Sequence, residues 1–418
     1  MRPSAAMAVL CMWIAPGAAQ SGAVAVQESE MAESGQVRNV AANLDFSTWM
    51  DAFRRRALAT GLRDDVLDRA LTGIEVNTDV LQRDRNQGEF NLAIWDYLDS
   101  AVSEARIRDG RRRLAEHAAL FDRIEAAFGV PREIVAAIWG LESAYGAVRG
   151  NIPTIEALAT LAHDGRRAAF FESELIAALH IVQSGDIAPE RMRGSWAGAM
   201  GHTQFMPSAW HAHAIDFDGD GRRDIWGDDP TDALASAAAY LAGYGWRKGQ
   251  PWGLEVQLPD GFDFALAGPE GRRDVAEWAA LGLRPVSGGV MPDQGMAEIL
   301  LPAGARGPAL MIFDNFGVIE RYNPADAYVI AVGHLADRLA GADPFRADWP
   351  REDRVLLTAE RRELQERLTR AGFDTQGVDG RIGPNTIAAI RAYQLARGLV
   401  PDGYASHVLL EQLRQAGG

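Results

Sequence analysis

The chain has 418 residues, 47% hydrophobic and 24% charged, with 57 acidic against 42 basic side chains and a formal net charge of −15. That length calls for two or three domains, and that composition supports packed cores and excludes wholesale disorder. The acidic balance excludes the electrostatic footprint of a nucleic-acid binder; the short cluster Arg111-Arg112-Arg113 reads as a solvated helix face.

Residues 1–20 read as an export signal. Arg2 supplies a minimal basic end, Ala5 to Ile14 a short apolar run, and Pro16-Gly17-Ala18-Ala19 the small residues that a signal peptidase cuts beside. The run is too short for a permanent membrane anchor. The single cysteine, Cys11, lies in this segment behind Leu10, where a lipoprotein needs a small residue, so lipid anchoring is not expected. Without a thiol, the mature chain fits an oxidising compartment. Residues 21–43 are small and polar and read as a linker.

From Phe46 to about Ala127 the pattern is helical, with Phe53, Ala57, Leu58, Val66, Leu67, Ala70 and Leu71 near helical spacing. Pro131 opens the next helix, where its missing N–H costs nothing. Ile134, Ile138, Leu141 and Tyr145 recur along it, and Gly146 reads as its end. A helix pair is expected over 154–184. Short apolar stretches at Leu254–Leu258, Ala297–Leu301 and Ala309–Phe313, separated by Gly, Pro and Asp, read as strands of a small β-rich insertion. Helix returns at about 325–340. Ala342-Asp-Pro and Asp348-Trp-Pro mark a linker over 342–356, and the remainder reads as helix, glycine-rich turn, helix, turn, short helix.

Glu142 is the catalytic candidate. It lies four residues after Ile138 and seven after Val135, and so shares a helical face with apolar side chains. A carboxyl group on such a face is poorly solvated; its pKa rises, and it can stay protonated to donate to a glycosidic oxygen. Helix position alone leaves an ordinary amphipathic margin as the commoner reading.

Trp139-Gly-Leu-Glu142-Ser-Ala-Tyr-Gly146, Arg193-Gly-Ser-Trp-Ala-Gly-Ala-Met-Gly-His-Thr-Gln-Phe-Met-Pro-Ser208 and Arg321-Tyr-Asn-Pro-Ala-Asp-Ala-Tyr328 stand in order along the chain. Together they resemble the signatures of the membrane-bound-type lytic murein transglycosylases of the B family. The resemblance implies a mainly α fold: a lysozyme-like α+β catalytic domain over 44–341 with the β-rich insertion, and a C-terminal three-helix module. It implies periplasmic action on peptidoglycan glycan strands, cutting the β-1,4 bond between N-acetylmuramic acid and N-acetylglucosamine to leave a 1,6-anhydro ring. Glu142 would be the single acid/base, where ordinary glycosidases need two carboxylates.

By the same resemblance Ser195 and Gln204 contact the reacting sugar or its N-acetyl group, Met200 packs under the sugar, and Tyr240 lines the cleft. Tyr322, Asn323 and Tyr328 surround Glu142 and the sugar. Core packing is the competing reading for Tyr240 and Tyr328. His202 stands where some members carry glutamine. The rival functions are a hydrolytic muramidase using the same Glu142 and a non-catalytic wall-binding scaffold.

Asp216-Phe-Asp218-Gly-Asp220-Gly-Arg222 matches the opening of an EF-hand, with acids at positions 1, 3 and 5, glycine at 6 and the Arg222 carbonyl at 7. Gly227 replaces the glutamate of position 12. Asp232 matches an acid that closes the loop in the resembling family, and Asp228 or Asp229 are alternatives. A structural Ca2+ is expected, with no cofactor for catalysis. His211-Ala-His213 reads as surface histidines rather than a zinc site. Leu364-Gln-Glu-Arg-Leu, Gly377-Val-Asp-Gly380, Ile382-Gly-Pro-Asn-Thr386 and Leu399-Val-Pro-Asp-Gly403 resemble a peptidoglycan-binding domain over 357–415, from which Tyr404-Ala-Ser406 departs. Such a module tethers the enzyme to its polymer and raises local substrate concentration.

Overall fold

The helical patterning after Phe46 resolves into Phe46–Ala59, Asp64–Leu71, Thr78–Asn86, Ile94–Ala101, Glu104–Glu116 and Ala118–Phe128. Trp49, Phe53 and Ala57 recur at steps of four and are the buried residues of the first of these. The computed structural model describes residues 46–86, 92–291 and 293–416. The expected export signal, Cys11 and the 21–43 linker lie outside the described residues. Among the described residues no helix is long and apolar enough to cross a membrane.

The chain divides into two compact units, one of Met1–Glu89 with Asp109–Gly243 and one of Phe90–Arg108 with Tyr244–Gly418. The centre of the first unit is the helix Arg132–Ser143, in which every residue from Ile134 to Leu141 is buried. It packs against Ala118–Phe128 and Thr231–Gly243. The sequence suggests an amphipathic helix; the structure makes it a core helix, covered by neighbouring helices and by the non-helical residues Tyr145 and His202. Pro131 caps it from outside rather than sitting in its first turn. The expected pair follows as Thr154–Asp164 and Ala168–Ser184, and a short antiparallel ladder joins Ile152–Pro153 to Arg193–Gly194.

In the second unit the three expected strands are present as Gly253–Gln257, Met296–Leu300 and Ala309–Ile312. Two short strands, Arg273–Asp274 and Arg284–Pro285, complete a five-stranded antiparallel sheet. Ala309–Ile312 pairs with both long neighbours, so Met311 lies opposite Leu254 on one side and Ile299 on the other. Val256, Trp278, Leu283, Ile299, Met311 and Phe313 form the core beneath it. A helix that the sequence reading did not separate, Asp314–Tyr322, leads into Asp326–Ala340.

The 342–356 segment carries no helix or strand, yet it is pinned throughout. The Phe345 ring stacks on His334 at 3.9 Å, and Trp349 lies 6.3 Å from Trp95. Arg351 pairs with Asp99 at 2.7 Å and Asp353 with Arg306 at 2.8 Å. The helices Thr358–Arg370, Pro384–Ala396 and His407–Ala416 then close a separate apolar core around Leu364, Leu368, Ile390, Tyr393, Leu410 and Leu413. Arg391 donates to the Ala267 carbonyl at 3.0 Å, and Asp402 accepts from the Ala305 N–H at 2.9 Å. The module is therefore docked on the β-rich part of its own unit.

Candidate active site

Glu142 is the penultimate residue of the Arg132–Ser143 helix and is half-buried. The sequence places the helix end at Gly146; the structure ends it at Ser143. Ala144 caps it in the left-handed region at φ 49°, and Tyr145 and Gly146 follow at 57° and 84°. Left-handed non-glycine residues cost of order 1–3 kcal/mol each, and such strain concentrates at functional sites. Packing explains why the turn is tolerated. The Tyr145 ring folds back over Gly140, where any Cβ would meet it at 2.6 Å, and stands edge-on to Trp139 at 5.7 Å.

A hydrogen-bonded cluster holds this turn. Ser143 Oγ donates to the His202 carbonyl at 2.6 Å and accepts from the Gly146 N–H at 3.0 Å. Trp139 Nε1 donates to His202 Nδ1 at 3.1 Å, and His202 Nε2 lies 2.8 Å from the Gly227 carbonyl. One ring nitrogen must accept and the other donate, so the imidazole is neutral with its proton on Nε2. Burial is the main cause that lowers its pKa, with Arg149 adding to it, against the opposing pull of the Gly227 carbonyl. Arg149 also donates to the Trp226 carbonyl at 3.0 Å and pairs with Asp228 at 2.8 Å.

The glycine-rich loop after Arg193 is tightly folded. Met200 bridges to Gly194 and to Phe205, and is wholly buried. Gly201 is required by contact as well as by its positive φ, since a Cβ there would meet the Ile225 carbonyl at 2.2 Å. Gln204 adopts φ 54°, and its amide nitrogen donates to Arg149 O at 3.1 Å and Gly201 O at 2.8 Å. Ser195 Oγ accepts from the Ala199 N–H at 3.1 Å. Tyr240 is 5% exposed, with its ring 4.6 Å from His213 and 5.9 Å from Phe205. Glu142, Ser195, Met200, Gln204 and Tyr240 thus belong to the first unit. Tyr322, Asn323 and Tyr328 belong to the second, all buried, around the join of Asp314–Tyr322 and Asp326–Ala340. There Asn323 Oδ1 accepts from the Ala325 N–H at 3.1 Å.

The carboxylates of Asp216, Asp218 and Asp220 converge, with one oxygen of each within 4.8 Å of the others. Asp216 accepts from the N–H groups of Gly219, Asp220 and Gly221, which winds the backbone around it. Asp220 accepts from the Arg222 N–H at 2.8 Å. Asp232 is buried and accepts from Phe217 N–H at 2.8 Å and Asp224 N–H at 2.9 Å, holding both arms of the loop; burial pushes its pKa up to about 6. The alternatives are engaged elsewhere: Asp228 with Arg149, and Asp229 with the N–H and hydroxyl of Thr231. An all-oxygen set of this density suits a hard divalent cation. His211 bonds the Ala177 carbonyl at 2.9 Å and His213 packs on Tyr240, and neither joins a group of three metal ligands among the described residues.

The sequence reading missed Trp139, Ser143 and Arg149 as parts of the site. The first two sit inside the Glu142 motif, a signal that could have flagged them; Arg149 carries none. Glu174 was also missed, a buried carboxylate that accepts from the N–H and hydroxyl of Ser208 and holds the start of the helix Pro207–His213.

With a half-buried carboxyl group at the strained end of a core helix, joined in one chain to a β-rich part and a small helical module, this protein falls by its likeness to known families and structures among the lysozyme-like glycan-cleaving proteins. The chain belongs to the SLT transglycosylase domain family, which matches residues 45–337, and a peptidoglycan binding domain matches 358–413. It is 32% identical over 257 residues to the membrane-bound lytic murein transglycosylase B of Escherichia coli K12, covering 60% of this chain and 68% of that protein. The crystal structure of SltB3 from Pseudomonas aeruginosa in complex with NAG-NAM-pentapeptide superposes with a TM-score of 0.86 at 47% identity, covering 89% of this chain and all (100%) of that one. The Escherichia coli lytic transglycosylase Slt35 in complex with calcium gives a TM-score of 0.60 at 30% identity, covering 70% of this chain and 92% of that one.

Proposed function

We propose that this lytic murein transglycosylase works with Glu142 as its only acid/base. The carboxylic acid gives its proton to the oxygen linking N-acetylmuramic acid to N-acetylglucosamine, and the C1–O bond breaks. The resulting carboxylate takes the proton of the muramic acid 6-hydroxyl as that oxygen closes on C1. Atoms balance without water, so no second carboxylate is needed. The observation that carries this reading is the placement of Glu142, half-buried at the strained end of the core helix, within the segment matched by the family. Structures of SltB3 hold NAG-NAM-pentapeptide in one case and NAG-anhNAM-pentapeptide in another, and the anhydro sugar is the form this route makes.

Ser195 and Gln204 contact the sugar or its N-acetyl group, with Met200 and Tyr240 shaping the floor. Asp216, Asp218, Asp220, the Arg222 carbonyl and Asp232 hold a structural Ca2+, as the calcium complex of Slt35 supports. The N-terminal segment exports the chain to the periplasm, where its polymer lies. Mass spectrometry of muropeptides released from purified sacculi tests the reaction: the products are each one water lighter than hydrolysis products. Glu142→Gln removes the cleavage and leaves sacculus binding. Products carrying the added water would establish the muramidase instead.

A further inference from the structure

A cavity of 690 Å³ in the second unit is lined by the acidic cluster Glu298, Glu320 and Asp326. The open hollow by His180 and His211 brings together too few ligands for a metal. His202 carries more.

Its imidazole meets the Glu142 helix at Trp139 and the left-handed turn at Gly146. The ring accepts from Trp139, three residues before Glu142 in the helix, while the backbone carbonyl of His202 separately accepts from Ser143, the residue after Glu142. The ring lies against Gly146, where a Cβ would meet it at 2.6 Å. On its other side it donates to the Gly227 carbonyl. The Gly227 and Trp226 N–H groups donate to Asp224, whose own N–H donates to Asp232 beneath the acidic loop. The ring is therefore, beside Arg149, a connector between the end of the Glu142 helix and a segment braced from behind.

We propose that His202 is a positioning residue: as a neutral imidazole, bonded to Trp139 and packed on Gly146, it fastens the end of the Glu142 helix to the 224–228 segment and so holds the Glu142 carboxyl in its reactive direction. This rests on the reading of Glu142 as the acid/base. Reorientation of a reacting group by about 1 Å can cost 100-fold in rate. The geometry also states which replacement is tolerated. A glutamine amide is flat and carries an acceptor and a donor side by side, as the imidazole does, so it can take the Trp139 N–H and give one to Gly227. Phenylalanine fills the space and offers neither.

The test compares His202→Phe and His202→Gln in the full-length enzyme, with initial rates on sacculi and amide and indole hydrogen exchange. In H202F the kcat falls roughly 10- to 100-fold with KM within about 3-fold, and the Trp139 indole N–H exchanges faster. In H202Q most of kcat and the slow exchange return. If H202F fails to fold, Trp139→Phe removes the same bond from the other partner, and H202Q still reports on rescue. Wild-type kcat in H202F, or H202Q as impaired as H202F, overturns the proposal. Glu142→Gln separates the two readings. Activity retained there defeats the acid/base assignment, whereas an inert E142Q beside a fully active H202F defeats this inference alone.

Discussion

Ala144 is exposed, and its methyl group buries nothing while holding a left-handed conformation at φ 49°. An alanine there costs about 1–2 kcal/mol in the folded chain, and glycine returns about 0.5–1 kcal/mol of that as unfolded-state entropy. Ala144→Gly is therefore expected to raise stability by about 0.5–1 kcal/mol, read as a higher denaturation midpoint at unchanged slope. Gly146→Ala has the opposite sign. Its Cβ must enter the space of the His202 ring, at a φ of 84°, so a loss of about 1–3 kcal/mol is expected together with a lower kcat. Equal stability of G146A and wild type would show that the turn relaxes freely. Neither effect was visible in the sequence, where Gly146 reads as an ordinary helix stop. That the two preceding residues also turn left-handed follows from Tyr145 packing on Gly140, a contact made only in three dimensions.

Within elements, the helix Asp326–Ala340 carries the buried His334 and the half-buried Asp337 one turn apart. Burial pushes Asp337 up to about 7 against the donated Trp252 N–H, and pushes His334 down to about 4, with Arg338 adding to it. The two act oppositely. Asp337 binds its proton more tightly when folded, so its contribution to stability is lost as pH rises from about 4 through 7. His334 binds its proton less tightly when folded, so its contribution is lost as pH falls from 6.5 through about 4. Over their shared window the slopes oppose and the wild type changes little on their account. Asp337→Asn keeps an acceptor for Trp252 and unmasks His334, so stability of the variant rises with pH from 4 to 6.5. At pH 8 it exceeds wild type by about 2–4 kcal/mol. Denaturation curves at pH 4.5, 6.5 and 8 check this; parallel pH profiles for the two proteins would remove it.

The acidic loop is the second element with a testable consequence. If Ca2+ fills it, excess metal stabilises the fold by about 2.7 kcal/mol at 100 times the dissociation constant. Asp218→Asn keeps the acceptor for the Asp220 N–H and removes charge. The variant is expected to lose most of the calcium-dependent rise in melting temperature while its metal-free melting temperature stays near wild type. An equal rise in both proteins would place the ion elsewhere.

At the scale of the whole molecule, the C-terminal module is bonded to its own unit through Arg391 and Asp402, and the 342–356 segment before it is stitched down by Phe345, Trp349, Arg351 and Asp353. A freely swinging tether would contribute binding alone. Ending the chain after Gly341 is therefore expected to cause two losses: weaker binding to sacculi in a pull-down, and a lower unfolding midpoint. A midpoint equal to the full chain would return the module to the role of a loose tether.

The sequence by itself determined the element types, because hydrophobic spacing is a local property. The 154–184 helix pair, the strands near 254, 297 and 309, and the closing three helices all follow from runs of a few residues. It also determined the family, because Trp139–Gly146 and Arg193–Ser208 are contiguous words that can be read without knowing any distant contact. Only the tertiary structure decided that 90–108 joins the second unit, that the Glu142 helix is buried all round, and that 342–356 is pinned down. It alone brought His202 to Trp139 and Gly227. These depend on contacts between residues tens to hundreds of positions apart, and no local pattern of charge or polarity encodes which distant partner will satisfy a buried donor.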